Sequence, residues 1–299
     1  MSVRVNPDLY STITNGLAQN TQRQDQVLQE LASGQKLNSP SDDPAAVASL
    51  VSIRTESSSV TQYLSNISSL TGSLQVADSA LNSVVEELTS AVSLGTEGAN
   101  GTLNSANQQA IAQEVQGIQQ QILSLANTSY NGQYLFSGTA TTTQPYVADS
   151  SSSSGVTYKG NSNINSVEIS EGQAMPINMP GSQLFSNSTT DVFQSLQDLY
   201  NALENGGDVS SATTEVQNAL SYVTTQSTFY GNSLDRLNNA QTFLNSEQLQ
   251  LSTSEGDILD VDMSQAATDL AQTETTQTAL LSAGGDIAQL SLFNYLPQE

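Results

Sequence analysis

Cysteine, histidine and tryptophan are all missing from this chain of 299 residues, and only six residues are basic. Without cysteine there is neither a disulfide framework nor a thiolate metal site. Without histidine the usual general base and the commonest transition-metal ligand are gone as well. Arg4, Arg23, Lys36, Arg54, Lys159 and Arg236 stand singly against 29 acidic residues. No basic stripe exists to neutralise phosphates, so the reading carries no nucleic-acid partner. The formal net charge of -23 favours solubility and mutual repulsion. Nowhere do about 18 apolar residues run together, so no membrane insertion is expected. The start, MSVRVNPDLYSTITNG, lacks the apolar core of a secretory signal, so export would leave the N-terminus uncleaved.

Only 36% of residues are hydrophobic and 5% aromatic, so folding must rest on pattern rather than bulk. The length fits one large domain or two small ones. Between residues 60 and 92, Val60, Leu64, Ile67, Leu74, Leu81, Val85, Leu88 and Val92 follow a 4,3 ladder interrupted by Thr71 and Asp78. The pattern predicts a long helix that starts at Asp43-Pro44, an acidic cap followed by a proline harmless in the first turn, and ends near Gly95. At roughly 50 residues it would be about 75 Å long, so a rod-like architecture is expected. Ile111, Val115, Ile118, Ile122 and Leu125 keep the same spacing in a third helix over 104–128, a natural antiparallel partner for the second. Val216, Leu220, Val223, Tyr230, Leu234, Leu237, Leu244 and Leu251 supply a fourth ladder, with Ser227, Gln241 and Gln248 as polar steps.

Residues 138–190 change character. A serine run at 150–154 reads as a solvated loop. GVTYKG and SVEIS alternate apolar and polar, and Pro176, Pro180 and Gly181 break any helix. The expectation is a small inserted β-rich domain. The fold class is therefore mainly α: a long antiparallel helical bundle built from both chain ends, carrying that insertion. Its parts are an N-terminal assembly helix over 1–40, bundle halves over 41–137 and 191–256, the insertion over 138–190, and a C-terminal assembly helix over 257–299.

The two ends differ from the bundle. Leu9, Ile13 and Leu17 give way to AQNTQRQDQ before Val27, Leu28 and Leu31 resume, and Gly34 supplies a stop. At the other end Ala266 and Leu270 are followed by AQTETTQT before Leu280, Leu281, Ile287, Leu290, Leu292 and Phe293. Each keeps a helical period but buries too little alone to offset the entropy of ordering, so both are expected to order against neighbours. The long central seams carry a plainer reading, the core of the chain's own bundle. The candidate assembly interface is therefore Leu9, Ile13, Leu17, Val27, Leu31, Leu270, Leu280, Leu281, Ile287, Leu290, Leu292 and Phe293.

Catalytic chemistry has little to work with. No G-x-S-x-G or S-x-x-K constellation activates a serine. Carboxylate pairs could hydrolyse glycosides in principle, but Tyr146, Tyr158, Phe185 and Phe193 make a poor sugar platform. Asp257, Asp260 and Asp262 lack the spacing of a calcium loop. Asp262 with Gln265 reads instead as a capping box that starts a new helix after a break near Gly256. No cofactor or metal is expected, and no enzymatic activity.

Three stretches resemble the flagellin superfamily: LASGQKLNSPSDDPAAVASLVSIR (31–54), ANTSYNGQYLFSGT (126–139), and the pattern from Asp260 and Asp262 through QTETTQTALLSA to LSLFNYL. The likeness spans roughly 1–140 and 190–299, and the NSPSDDP form suits the superfamily's hook–filament junction branch better than flagellin itself. Asn38, Ser39, Asp42, Asp43, Pro44, Asn131, Gly132, Phe136, Gly138, Asp260 and Asp262 carry it. The resemblance implies a structural adaptor between flagellar hook and filament, exported unfolded to the extracellular flagellum. Its implied partners are copies of itself, a hook-side junction protein, flagellin and an export chaperone. A short flagellin is the alternative within the superfamily; a coiled-coil surface adhesin or phage fibre, or more distantly a carboxylate hydrolase, lies outside it.

Overall fold

The computed structural model describes the backbone of residues 7–293 and the side chains of residues 11–286. Helix α1 (Pro7–Ser33), α2 (Pro44–Gly98) and α3 (Ser105–Ala126) come first. Six short strands follow: β1 (Ser129–Tyr130), β2 (Gln133–Tyr134), β3 (Tyr146–Ala148), β4 (Val156–Tyr158), β5 (Ser166–Ser170) and β6 (Gln173–Pro176). Then come α4 (Gly181–Leu184), α5 (Val192–Asn205), α6 (Val209–Leu259) and α7 (Met263–Phe293). Contacts divide the chain into two units, Met1–Ser58 with Gln248–Glu299, and Ser59–Glu247.

In the second unit α2 and α6 run antiparallel. A Cβ placed on Gly95 would lie 2.4 Å from the Thr213 hydroxyl, while Leu74, Ala77 and Tyr230 line one cavity. The buried residues of α2 here include Ile67, Leu70, Leu74, Ala77, Leu81, Val84, Leu88 and Ala91 in 3,4 alternation, with Val60 one heptad before them and Ala80 buried alongside. The 4,3 ladder in the sequence placed one row of this seam, Ile67 to Leu88, correctly. It placed the other row one residue off, on Val85 and Val92, which are only half-buried. Thr71 and Asp78 do not interrupt the seam; they flank it. The same shift holds in α6, where Ala219 and Ser233 are buried and Leu220 and Leu234 are half-buried. Small residues, Ala77, Ala91, Ala219 and Ser233, share the missed row with Leu70 and Val84, so at those positions volume complementarity outranks hydrophobicity. Each fully buried leucine contributes about 1.5–3 kcal/mol.

Helix α3 begins at Asn104, whose side chain accepts the Asn107 N–H, and packs against α5. No sequence expectation singled out α5, although its signals are plain. Asp191 accepts the Gln194 N–H at the start, Gly206 closes the end at φ 75, and Val192, Phe193, Leu196, Leu199 and Leu203 form one buried face. The second helix also runs one turn past its expected end, to Gly98, where a Cβ would strike Leu203 at 2.4 Å.

Among the described residues the strands pair only as three antiparallel hairpins. Asn131 (φ 50) and Gly132 (φ 78) form the two-residue turn between β1 and β2, the left-handed pair that matches strand twist. The hairpin of β3 and β4 is tied back to α3 by Asn127. Its amide donates to the Tyr146 carbonyl and accepts the Tyr146 N–H, both at 2.9 Å. The serine run forms the tight, mostly exposed loop between these strands. Tyr146, Tyr158, Phe185 and Phe193 do not face solvent as a platform. With Phe136 and Tyr230 they form an edge-to-face and tilted cluster, centroids 5.0–6.5 Å apart, the core of this unit.

Candidate assembly interface

In the first unit α1 and α7 lie antiparallel against each other. A Cβ on Gly284 would sit 3.6 Å from Ile13, and one on Gly16 would sit 3.8 Å from Leu280. Further along, the Asn20 amide donates to the Thr273 carbonyl at 2.8 Å, and Arg23 reaches Asp269 at 4.0 Å. That ion pair is too exposed to contribute much. The polar stretches that interrupt both apolar stripes thus meet each other. Val27 is buried, and Ile13, Leu17, Leu31, Leu270 and Leu280 are half-buried. Among the described members of the predicted set, Leu281 alone points outward, at 57% exposure. The side chains of Leu9, Ile287, Leu290, Leu292 and Phe293 lie outside the described residues.

Both helices end or begin at a joint, and the two joints are sewn together. Gly34 (φ 70) stops α1 with its N–H on the Glu30 carbonyl. Lys36 N–H then donates to the Leu259 carbonyl at 2.7 Å, and Val261 N–H to the Gly34 carbonyl at 3.1 Å, around a bridge of Gln35 with Asp260. The break between α6 and α7 therefore falls at 260–262, not near Gly256, because α6 continues helically to Leu259. Asp262 does cap α7, accepting the N–H groups of Ser264 and Gln265. The expected capping box stays open, since the Gln265 side chain donates to Asp269 one turn on.

The NSPSDDP stretch is a self-contained turn. Asp42 accepts the N–H groups of Asn38 and Ser39 at 3.1 and 2.7 Å, and the Asn38 amide donates to the Gln35 carbonyl. Asp43 caps α2 by accepting the N–H groups of Ala45 and Ala46, both at 3.0 Å, with Pro44 in the first turn. In the second unit Phe136 is fully buried, and Gly138 sits at φ 74 where a Cβ would meet the Asn161 carbonyl at 2.2 Å. The residues that carry the resemblance therefore act here as turns, caps and core.

The first unit also leaves large apolar side chains exposed. Leu28 (46%), Val51 (59%), Leu249 (70%) and Met263 (53%) are exposed alongside Leu281. Sequence reading passed over Val51, Leu249 and Met263 because each lies off its helix's main stripe. No group of three or more His, Cys, Asp or Glu that could hold a metal occurs among the described residues. Burial raises the Tyr146 and Tyr230 hydroxyls well above their ordinary pKa. The cavity of about 100 Å³ beside Tyr230, lined by Tyr134, Asn165 and Asn178 among others, has room for a few waters and no cofactor. None of the searched helices is long and apolar enough to cross a membrane.

Comparison with known proteins matches residues 8–141 to the bacterial flagellin N-terminal helical region and residues 213–296 to the bacterial flagellin C-terminal helical region. The flagellar hook-associated protein 3 of Escherichia coli is 25% identical over 291 residues, covering 89% of this chain and 90% of that protein. Flagellin B of Helicobacter pylori is 26% identical over 140 residues, covering 46% of this chain and 27% of the flagellin. A solved flagellar hook-associated protein from Vibrio parahaemolyticus superposes with a TM-score of 0.67 at 26% identity, over 73% of this chain and all of that one.

Proposed function

Because this chain belongs to the bacterial flagellin family, we propose that it is the structural adaptor joining the flagellar hook to the flagellin filament. One observation separates this from the short-flagellin alternative. The likeness to hook-associated protein 3 runs over nine-tenths of both chains, whereas the flagellin match stops after about a quarter of the flagellin. Two assemblies of related subunits are joined by packing, so the adaptor needs paired terminal helices with apolar side chains left over, and no catalytic group. The leftover side chains are Leu28, Val51, Leu249, Met263 and Leu281.

The neighbours are copies of this chain, a hook-side junction protein and flagellin, and delivery follows the flagellar export route with a chaperone covering the ends until use. The open apolar surface is the reason a chaperone is needed. In the free chain the α1–α7 pair is the first part to open, because its seam is interrupted by polar residues. Limited proteolysis of the monomer should therefore trim roughly the first 35 and last 40 residues and leave a folded remainder. Ends that resist protease as long as the remainder would contradict this.

The deciding experiment adds purified chain to isolated hooks and to filament seeds. An adaptor binds the hook end and does not grow long filaments alone. Growth of long filaments, or labelling of intact cells along the filament instead of at the hook's tip, rejects the adaptor in favour of flagellin.

A further inference from the structure

The second unit carries two surface features that fit each other but cannot meet within one copy. On α6, Phe243 is 65% exposed, an unusual position for the largest apolar side chain on that face. Arg236 lies seven residues before it, two helical turns away on the same face. Both line a groove of about 400 Å³ beside Ile169 and Gln173 of the β5–β6 hairpin. Lys159 and Arg236 are the only basic residues between 59 and 247, and Arg236 makes no ion pair among the described residues. Arg236 is exposed and so open to a carboxylate of another copy.

The complementary feature lies between α2 and α3. An open groove of about 530 Å³ is floored by Leu94 and Ile118, runs over the bare backbone of Gly117, and is flanked by Glu87 and Glu114. Nothing lies within 4 Å of a Cβ built on Gly117, so the floor is free to receive a side chain. Leu94 and Ile118 are half-buried. One surface thus offers an aromatic knob with a cation, and the other an apolar trough with two carboxylates.

We propose that the Phe243–Arg236 knob of one copy seats in the Glu87–Glu114 trough of a second copy of this chain. This deepens the adaptor reading, which requires neighbouring copies but does not say how the second units touch. Knob and trough are different patches, so the contact repeats from copy to copy around the hook's end. Within one copy they lie about 45 Å apart along α6, since the trough lies beside Gly95, level with Thr213, and Phe243 is 30 residues further on.

The absence of native cysteine makes the test clean. Phe243→Cys combined with Gly117→Cys should yield a ladder of oxidised multimers both on hooks and in concentrated solution, while either single substitution yields at most a dimer. Arg236→Glu should lower assembly about tenfold or more, as should Glu114→Arg, and combining the two should restore it. Circular dichroism of each variant checks that the fold is kept. No ladder and no effect of charge reversal, in a protein that still binds hooks, overturns this contact and leaves the adaptor reading intact. Failure of the wild-type chain to bind hooks overturns the adaptor reading, and the ladder in concentrated solution then decides this contact by itself.

Discussion

Asn127 does with its side chain what a strand does with its backbone. Its amide donates to and accepts from Tyr146 at 2.9 Å on both sides, and Tyr146 is only 4% exposed. Asn127→Ala leaves the buried Tyr146 N–H without that partner, while the carbonyl keeps the Gln144 amide, and should cost about 1–3 kcal/mol, read from urea denaturation. Asp149 makes a different kind of contact. The Ser151 hydroxyl, then the Thr157 hydroxyl and the Ser151 N–H, donate to its carboxylate and hold its pKa down to about 2 from an ordinary 3.8. A depressed carboxylate stabilises the β3–β4 hairpin above the unfolded pKa, and that stabilisation is lost as pH falls through about 2. Amide resonances of Thr157 and Ser151 should therefore shift between about pH 4 and pH 2, and Asp149→Asn should abolish the shift. Asn127 was not singled out in the sequence because its partner lies 19 residues away, and Asp149 was passed over although its Ser151 partner is only two residues on.

At the scale of elements, caps and stops were legible and seams were half legible. Asp43, Gly34 and Asp262 each do what their residue type and position predict, because a cap is a local bargain between one side chain and the next turn. Asp262→Ala should cost about 0.5–2 kcal/mol, seen as faster hydrogen exchange over the first turn of α7. The seam rows of Ala77, Ala91, Ala219 and Ser233 were missed for a reason of the opposite kind. A small residue is buried by what its partner helix brings near, and single-sequence periodicity cannot see the partner. The same blindness split the terminal set: Ile13 and Leu280 turn inward between α1 and α7, while Leu281 and the unpredicted Leu249 and Met263 turn out. Helix α5 is the plainest omission, since its cap, stripe and terminal glycine were all present in the sequence.

Across the whole molecule the -23 charge governs how readily copies approach one another. Repulsion between like-charged copies extends over a Debye length of about 10 Å at 0.1 M salt and about 3 Å at 1 M. Self-assembly should consequently speed up with sodium chloride, and the knob-and-trough pair should oppose that trend locally, since salt also weakens Arg236 against Glu87 and Glu114. Light scattering across a salt series would show the rise for wild type, and a steeper rise for Arg236→Glu. An assembly rate that falls with salt would mean attraction, not repulsion, limits association.

The sewn joint at Gly34 and Asp260 reaches further than its two backbone hydrogen bonds. It is the point from which α1 and α7 are both counted, in opposite directions, so that residue 13 arrives at residue 284 and residue 20 at residue 273. Substitutions along either helix change one rung. An inserted or deleted residue turns everything beyond it by about 100° and slides it about 1.5 Å; a deletion in the first part of α7 would present Leu281 to the seam, and an insertion would present Ala279. Over evolutionary time the two ends are thus free to drift in spelling but not in length, whereas the β3–β4 and β5–β6 hairpins can absorb extra residues at their tips.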